Sequence, residues 1–234
     1  MYCYDRAVPQ ARPARFSVTL RIQEPTLSTR PNASTHYSEL TDPQSARGRL
    51  LRQAAHLFRE KGYERTTVRD LAAAVGIQSG SIFHHFQTKE AILRAVMVET
   101  ILYNTSRMEA ALVKAESDTD RIRALIRCEL EAINGETGEA MAVLVYEWRS
   151  LTPESQAEIL VLRDRYEKLW LETLERLSGA GLVKADPFVL RRLLTGALSW
   201  TVTWFKPEGK GQRRSLDLDD LTAQVMLTLG LPVP

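Results

Sequence analysis

The stretch Gly76-Ile77-Gln78-Ser79-Gly80-Ser81-Ile82-Phe83-His84-His85-Phe86 places small polar residues beside a short apolar and aromatic run. Just upstream, Thr67-Val68-Arg69-Asp70 reads as a capping box, in which the Thr hydroxyl accepts a first-turn amide and Asp70 reaches back. A short helix with Leu71, Ala72 and Val75 apolar then runs to Gly76. The quoted stretch must open a second short helix at about Gln78 or Ser79 and finish it near His85. Two short helices joined by a tight glycine turn make a helix-turn-helix. Ala72 allows close approach of the pair, Gly76 supplies the turn, and Val75, Ile77 and Ile82 are expected to be buried between them. In this geometry the second helix enters a DNA major groove with its first residues at the base edges.

The side chains suit that task. Gln78 can bridge adenine N6 and N7, the hydroxyls of Ser79 and Ser81 can reach bases or phosphates, and Gly80 lets the backbone come close. His84 points outward one turn later and Phe83 is counted with it among the candidate DNA contacts, although Phe83, His85 and Phe86 are more readily expected to pin the helix to its base. Arg47, Arg49, Thr67, Arg69 and Lys89 surround it as candidate phosphate contacts, which position a module without reading sequence. Other chemistries fit poorly. His84 and His85 are adjacent and point apart on a helix, with no Cys or carboxylate cluster near them, so neither metal nor cofactor is expected. A nucleophile elbow would need Ser at position 78, which is Gln, and a preceding strand.

Upstream, Leu50, Leu51, Ala54, Leu57 and Phe58 recur at helical spacing, and Lys61-Gly62 closes that helix with a cation and a glycine. Downstream, Thr88-Lys89-Glu90 opens a long helix whose apolar positions include Ile92, Leu93, Val96, Ile101 and Leu102. Further helices are expected over 118–134, 138–151, 154–179, 186–205 and 217–229, with Gly and Pro at their breaks. The fold is therefore expected to be all-α. Residues 1–42 carry four prolines and no helical period, and read as an extension with little fixed structure. A helix-turn-helix DNA-binding domain is expected over 43–90 and a helical ligand-binding and dimerisation domain over 91–234. The basic run 207–215 reads as a surface loop.

Charge supports this division. Of the 234 residues, 43–105 hold nine Lys/Arg against five acids, whereas 106–234 hold seventeen against twenty. A basic segment ahead of an acidic remainder is what results when one part meets a polyanion and the other does not. With two cysteines far apart and no long apolar run, neither a disulfide framework nor a membrane span is expected, and a cytoplasmic location fits.

The runs Gly62-Tyr63-Glu64-Arg65-Thr66-Thr67-Val68-Arg69-Asp70-Leu71-Ala72, the quoted stretch, and Gln87-Thr88-Lys89-Glu90-Ala91-Ile92-Leu93 together resemble the DNA-binding domain of the tetracycline-repressor (TetR) family over about residues 44–97. The resemblance implies a three-helix N-terminal head, a helix four linking it to a helical body, and a homodimer formed by the last two long helices. It also implies a palindromic double-stranded operator and a small-molecule effector. Two positions depart from the pattern. Ser79 stands where many members carry Lys, and Phe83 where they place a Tyr hydroxyl on phosphate, so the remaining phosphate contacts carry more of the grip.

In the body, Trp148-Arg149 and the segment from Trp200 to Pro207 look similar to family members that respond to acyl-coenzyme A thioesters. An apolar tunnel would take the acyl chain while Arg149, Arg163, Arg191 or Arg192 meets phosphate, and Trp148, Arg149, Arg192, Trp200 and Trp204 are the candidate ligand contacts. The stripe Leu190, Leu193, Leu194, Ala197, Trp200 and Trp204 suits a helix packed on its symmetry mate. The leading expectation is a ligand-released repressor rather than an enzyme. Alternatives are a small acyl-thioester enzyme using Cys128 or a His as its reactive group, and a DNA-binding regulator answering to a protein partner.

Overall fold

A computed structural model describes residues 40–206 and 216–233. The described residues form nine α-helices and no strand. They are α1 (Ala46–Lys61), α2 (Val68–Ala74), α3 (Ser79–Ile82), α4 (Lys89–Val113), α5 (Asp118–Asn134), α6 (Gly138–Tyr146), α7 (Pro153–Gly179), α8 (Pro187–Trp200) and α9 (Leu218–Thr228). The expected all-α architecture is the one observed. The expectations for most of residues 1–42 and for 207–215 lie outside the described residues.

Local chemistry starts and stops these helices. Ser45, Thr67, Thr88, Ser117, Thr152, Asp186 and Asp217 each cap a helix N-terminus with a side-chain oxygen, satisfying amides that no helical carbonyl can reach. The capping box at Thr67 and Asp70 is complete. Hydrogen bonds from the Thr67 backbone and hydroxyl, then the Lys61 ammonium, hold the Asp70 carboxyl below the ordinary aspartate range. Gly76 turns the chain from α2 to α3 at φ +71°, where a side chain would strain the backbone.

Three helices end earlier than their apolar pattern suggests. α3 stops at Ile82 because the chain tightens into three-residue turns, with the amides of Phe83, His84 and His85 donating to the carbonyls of Gly80, Ser81 and Ile82. α6 gives way at Glu147 to a 3-10 turn over Trp148–Ser150. α8 gives way to another over Thr201–Thr203, where the Thr201 hydroxyl donates to the Leu198 carbonyl at 2.6 Å and accepts from Asn134 Nδ2 at 2.9 Å.

Two apolar clusters hold the chain together. The first joins Leu50, Ala54 and Phe58 of α1, Leu71 and Ala72 of α2, Ile82 of α3, Ile92 and Leu93 of α4, Val143 of α6 and Ile159 of α7. The second joins Met108 of α4, Leu125 and Leu130 of α5, Trp170 and Leu174 of α7, Leu194 and Leu198 of α8, and Met226 of α9. Each large side chain so buried stabilises the fold by about 1.5–3 kcal/mol. Ala72 is 1% exposed, and a larger side chain there would overpack the α2 contact at about 1–3 kcal/mol.

A polar knot sits inside the second cluster. Arg191 of α8, 1% exposed, pairs with Glu129 of α5 at 3.0 Å and Glu167 of α7 at 3.0 Å, and its guanidinium lies 4.2 Å from the centre of the Trp170 ring. The Tyr166 hydroxyl donates to Glu129 at 3.2 Å. Burial pushes the Glu129 carboxyl up against the pull of Arg191. Burial also works against the Arg191 charge, but Glu129 and Glu167 outweigh it and hold the guanidinium protonated.

Candidate nucleic-acid interface

The surface around α3 is built on a rigid base. Ile82 is 1% exposed and Phe86 is buried, which locks α3 against α2 and the start of α4. The polar residues this leaves outward are largely uncommitted. Gln78 occupies the N-cap position of α3 in extended backbone, is exposed, and makes no cap bond with its side chain. Ser79 and Ser81 are half-buried, Gly80 and His84 are exposed, and open space surrounds the Gly80 backbone. Arg69 is exposed on the first turn of α2 and has no hydrogen-bond or ion-pair partner among the described residues.

Several expected phosphate contacts have other work. Lys89 lies at the start of α4, where its ammonium donates to the carbonyls of Tyr63 at 2.8 Å and Thr66 at 3.0 Å. It also sits 4.1 Å from the centre of the Tyr63 ring. These bonds tie α4 to the α1–α2 loop. Arg47 is likewise engaged, by Glu99 of α4, by the Thr41 hydroxyl and over the Phe86 ring at 5.1 Å. The Thr67 hydroxyl is occupied by the capping box. Arg49 donates to the Gln44 carbonyl yet remains exposed. Sequence reasoning missed these demands because the acceptors are loop carbonyls and a carboxylate 52 positions away.

The packing expectations also need correction. Phe83 is 55% exposed and His85 is exposed, so of the three residues expected to pin α3 only Phe86 does so. Ile77 is 39% exposed rather than buried, because the glycine turn swings it outward. Phe83 and Ile77 therefore add apolar surface beside Gln78, a feature of the kind that contacts thymine methyl groups.

The five candidate ligand contacts fall in separate places. Trp148 packs against the first cluster and beneath the Arg163 guanidinium, and Arg149 is its neighbour in the 3-10 turn. Arg192 lies over the Phe188 ring on the outer side of α8. Trp200 and Trp204 are 68% and 45% exposed. Arg191, considered as a phosphate contact, is buried in the knot with its charge already matched. The apolar stripe of α8 divides in two. Leu190, Leu194 and Leu198 face inward, while Val189, Leu193, Ala197 and Trp200 make an exposed face. A cavity of about 610 Å³ opens between the C-terminal end of α4, α5 and α9, lined by Ala111, Lys114, Ala115, Arg123, Ala124 and Ala223 among others. None of the five candidates lines it. Cys128 is half-buried and its thiol is pushed up by burial, the opposite of an activated nucleophile.

Among the described residues there is no group of three or more His, Cys, Asp or Glu able to hold a metal ion. No described helix is long and apolar enough to cross a membrane.

Residues 50–96 match the model for bacterial regulatory proteins of the tetR family, and residues 115–227 match the model for the tetracyclin repressor-like C-terminal domain. The HTH-type transcriptional repressor KstR2 of Mycolicibacterium smegmatis is 30% identical over 174 residues, 72% of this chain and 83% of that protein. The crystal structure of superantigen PfiT is 61% identical, covering 81% of this chain and 98% of that one, with a TM-score of 0.68. The crystal structure of AibR with isovaleryl coenzyme A and operator DNA shares the fold at 24% identity and a TM-score of 0.69, covering 80% of this chain and 99% of that one.

Proposed function

The chain belongs to the TetR family of DNA-binding transcriptional regulators, and from that premise we propose that it is a repressor whose head, residues 43–90, binds a palindromic operator and whose body, residues 91–234, dimerises and senses a small molecule. The observation that carries this reading is the uncommitted polar surface of α3 on a buried base. Gln78 reads a base, Ser79, Gly80 and Ser81 approach the same groove, and Arg49, Arg69 and His84 flank it. Phosphate grip rests on Arg49 and Arg69 more than on Lys89 or Arg47. Two heads reading successive major grooves would sit roughly 34 Å apart or a multiple of it.

The exposed face of α8, with Val189, Leu193, Ala197 and Trp200, is the surface a second copy covers. Trp200 and Trp204 therefore serve the dimer rather than the effector. The effector is an apolar or acyl-coenzyme A-type molecule that prefers a body conformation in which the two heads no longer match adjacent grooves. Its differential affinity for the two conformations limits how far it can release DNA. The regulator acts in the cytoplasm. Selection of duplexes from a random pool by the purified chain, with and without a panel of acyl-coenzyme A thioesters, tests the proposal. Enrichment of one palindrome, lost on adding one thioester, is the expected result; no enriched duplex at moderate salt rejects the reading.

A second reading is favoured by the 61% identity to PfiT, described as a superantigen. In this reading the folded surface also stimulates T cells. Proliferation of T cells with presenting cells, measured on endotoxin-free protein, tests it, and a response no greater than that to buffer rejects it.

A further inference from the structure

The cavity between the C-terminal end of α4, α5 and α9 has no part in DNA reading or in the exposed face of α8. No residue of the head or of α8 lines it. α5 packs against both α4 and α9, and the space stays open where small side chains meet. These are Ala111 near the end of α4, Ala115 just beyond it, Ala124 on α5 and Ala223 on α9. Its volume of about 610 Å³ is that of a small-molecule pocket.

The rim is charged but balanced. Lys114, Arg123 and Arg127 stand with Glu116, Asp120 and Asp219, three cations against three acids. Two opposite pairs are spent inside the fold. Arg127 Nε donates to Asp219 at 2.6 Å, which ties α5 to α9. Arg123 Nη1 donates to Asp120 at 2.9 Å. A hydrogen bond from the Ser117 hydroxyl, then the Arg123 charge, hold the Asp120 carboxyl below the ordinary aspartate range.

Two sets of donors are left over. Arg123 Nε is buried with no hydrogen-bond partner, and Nη2 beside it makes no bond among the described residues. These two nitrogens form the edge of a guanidinium that matches the two oxygens of a carboxylate. Lys114, exposed just past the end of α4, has no partner for its ammonium among the described residues. Glu116 is exposed and unpaired on the same terms.

We propose that this cavity binds a small organic monocarboxylate, with its carboxylate on the free edge of Arg123 and on Lys114 and its apolar part on the alanines. A buried N–H without an acceptor is unfavourable, and a ligand carboxylate removes that cost. The balanced rim, with Glu116 unpaired, gives a molecule carrying several phosphates no net attraction. The site therefore differs in chemistry from one that would hold a coenzyme A thioester, and it stands whether or not the chain binds DNA.

Calorimetric titration of the full chain with octanoate and with benzoate, beside octylamine and octanol, tests the proposal. At least one carboxylate is expected to bind one site per chain with a Kd of about 1 mM or tighter. The amine and the alcohol, which cannot make the charge-assisted bonds, are expected to bind more weakly by roughly tenfold or more. Lys114→Glu changes an exposed side chain and is expected to weaken the carboxylate by roughly tenfold or more. Ala223→Leu fills the cavity and is expected to weaken it by at least as much; if that variant does not fold, Lys114→Glu alone decides. A Kd weaker than about 1 mM for both carboxylates overturns the proposal. Equal affinity for the alcohol, or a carboxylate Kd unchanged in Lys114→Glu, overturns it as well.

Discussion

Replacing Arg191 by Met keeps most of the aliphatic volume and deletes the charge at the centre of the buried knot. Glu129, with 4% of its side chain exposed, is left with the Tyr166 hydroxyl alone, and Glu167 loses its partner beside it. Removing one member of a buried ion pair costs about 3–5 kcal/mol, because the remaining charge stays desolvated. For a chain of this length that is a fall in Tm of roughly 6–20 °C. Glu129→Gln is expected to cost less, about 1.5–3 kcal/mol, since the amide still accepts a hydrogen bond and Arg191 keeps Glu167. The double variant Arg191→Met/Glu129→Leu should recover most of the single Arg191 loss, because no buried charge then lacks a partner. The assay is urea unfolding followed by helical circular dichroism at one fixed protomer concentration, since dimerisation makes stability depend on concentration. A loss below about 1 kcal/mol for Arg191→Met, or a double variant as unstable as the sum of its singles, would refute the reasoning.

Four further outcomes follow from the same contacts. Gln78→Ala should relax base choice at one operator position by about 1–3 kcal/mol, read from duplexes differing at single bases. Arg69→Ala should weaken all duplexes alike and flatten the plot of log affinity against log salt by about one unit, whereas Lys89→Ala should leave that slope unchanged and lower the melting temperature of the head. Leu193→Glu places a charge on the exposed α8 face and should shift sedimentation from dimer to monomer. Because Asp70 titrates below its ordinary range, its cap contribution is full above the unfolded-state value and is lost as pH falls through the folded one. The melting difference between wild type and Asp70→Asn should therefore be largest near neutral pH and shrink on acidification.

The helices were legible because their signals are local. Periodic apolar residues, caps at Thr67 and Thr88 and glycines at 62 and 76 each act within one or two turns of chain. The exposed position of Gln78 was legible for the same reason, since a helix N-terminus after a glycine turn needs only its neighbours to be placed. What a side chain is free to do was not legible. Lys89 looked like any exposed cation at a helix start, yet two carbonyls of a loop more than twenty residues away accept its hydrogen bonds. Arg191 and Arg192 are adjacent and identical in type, and only the packing of α8 on α5 and α7 turns one into a buried hub and leaves the other outside. The same packing divided the α8 stripe into a core side and an exposed side. Local sequence by itself determined where helices begin and end, because capping and periodicity are short-range. Which charges are committed, and which apolar faces remain open for a partner, was decided only in tertiary structure, because desolvation depends on what distant segments bring against each residue.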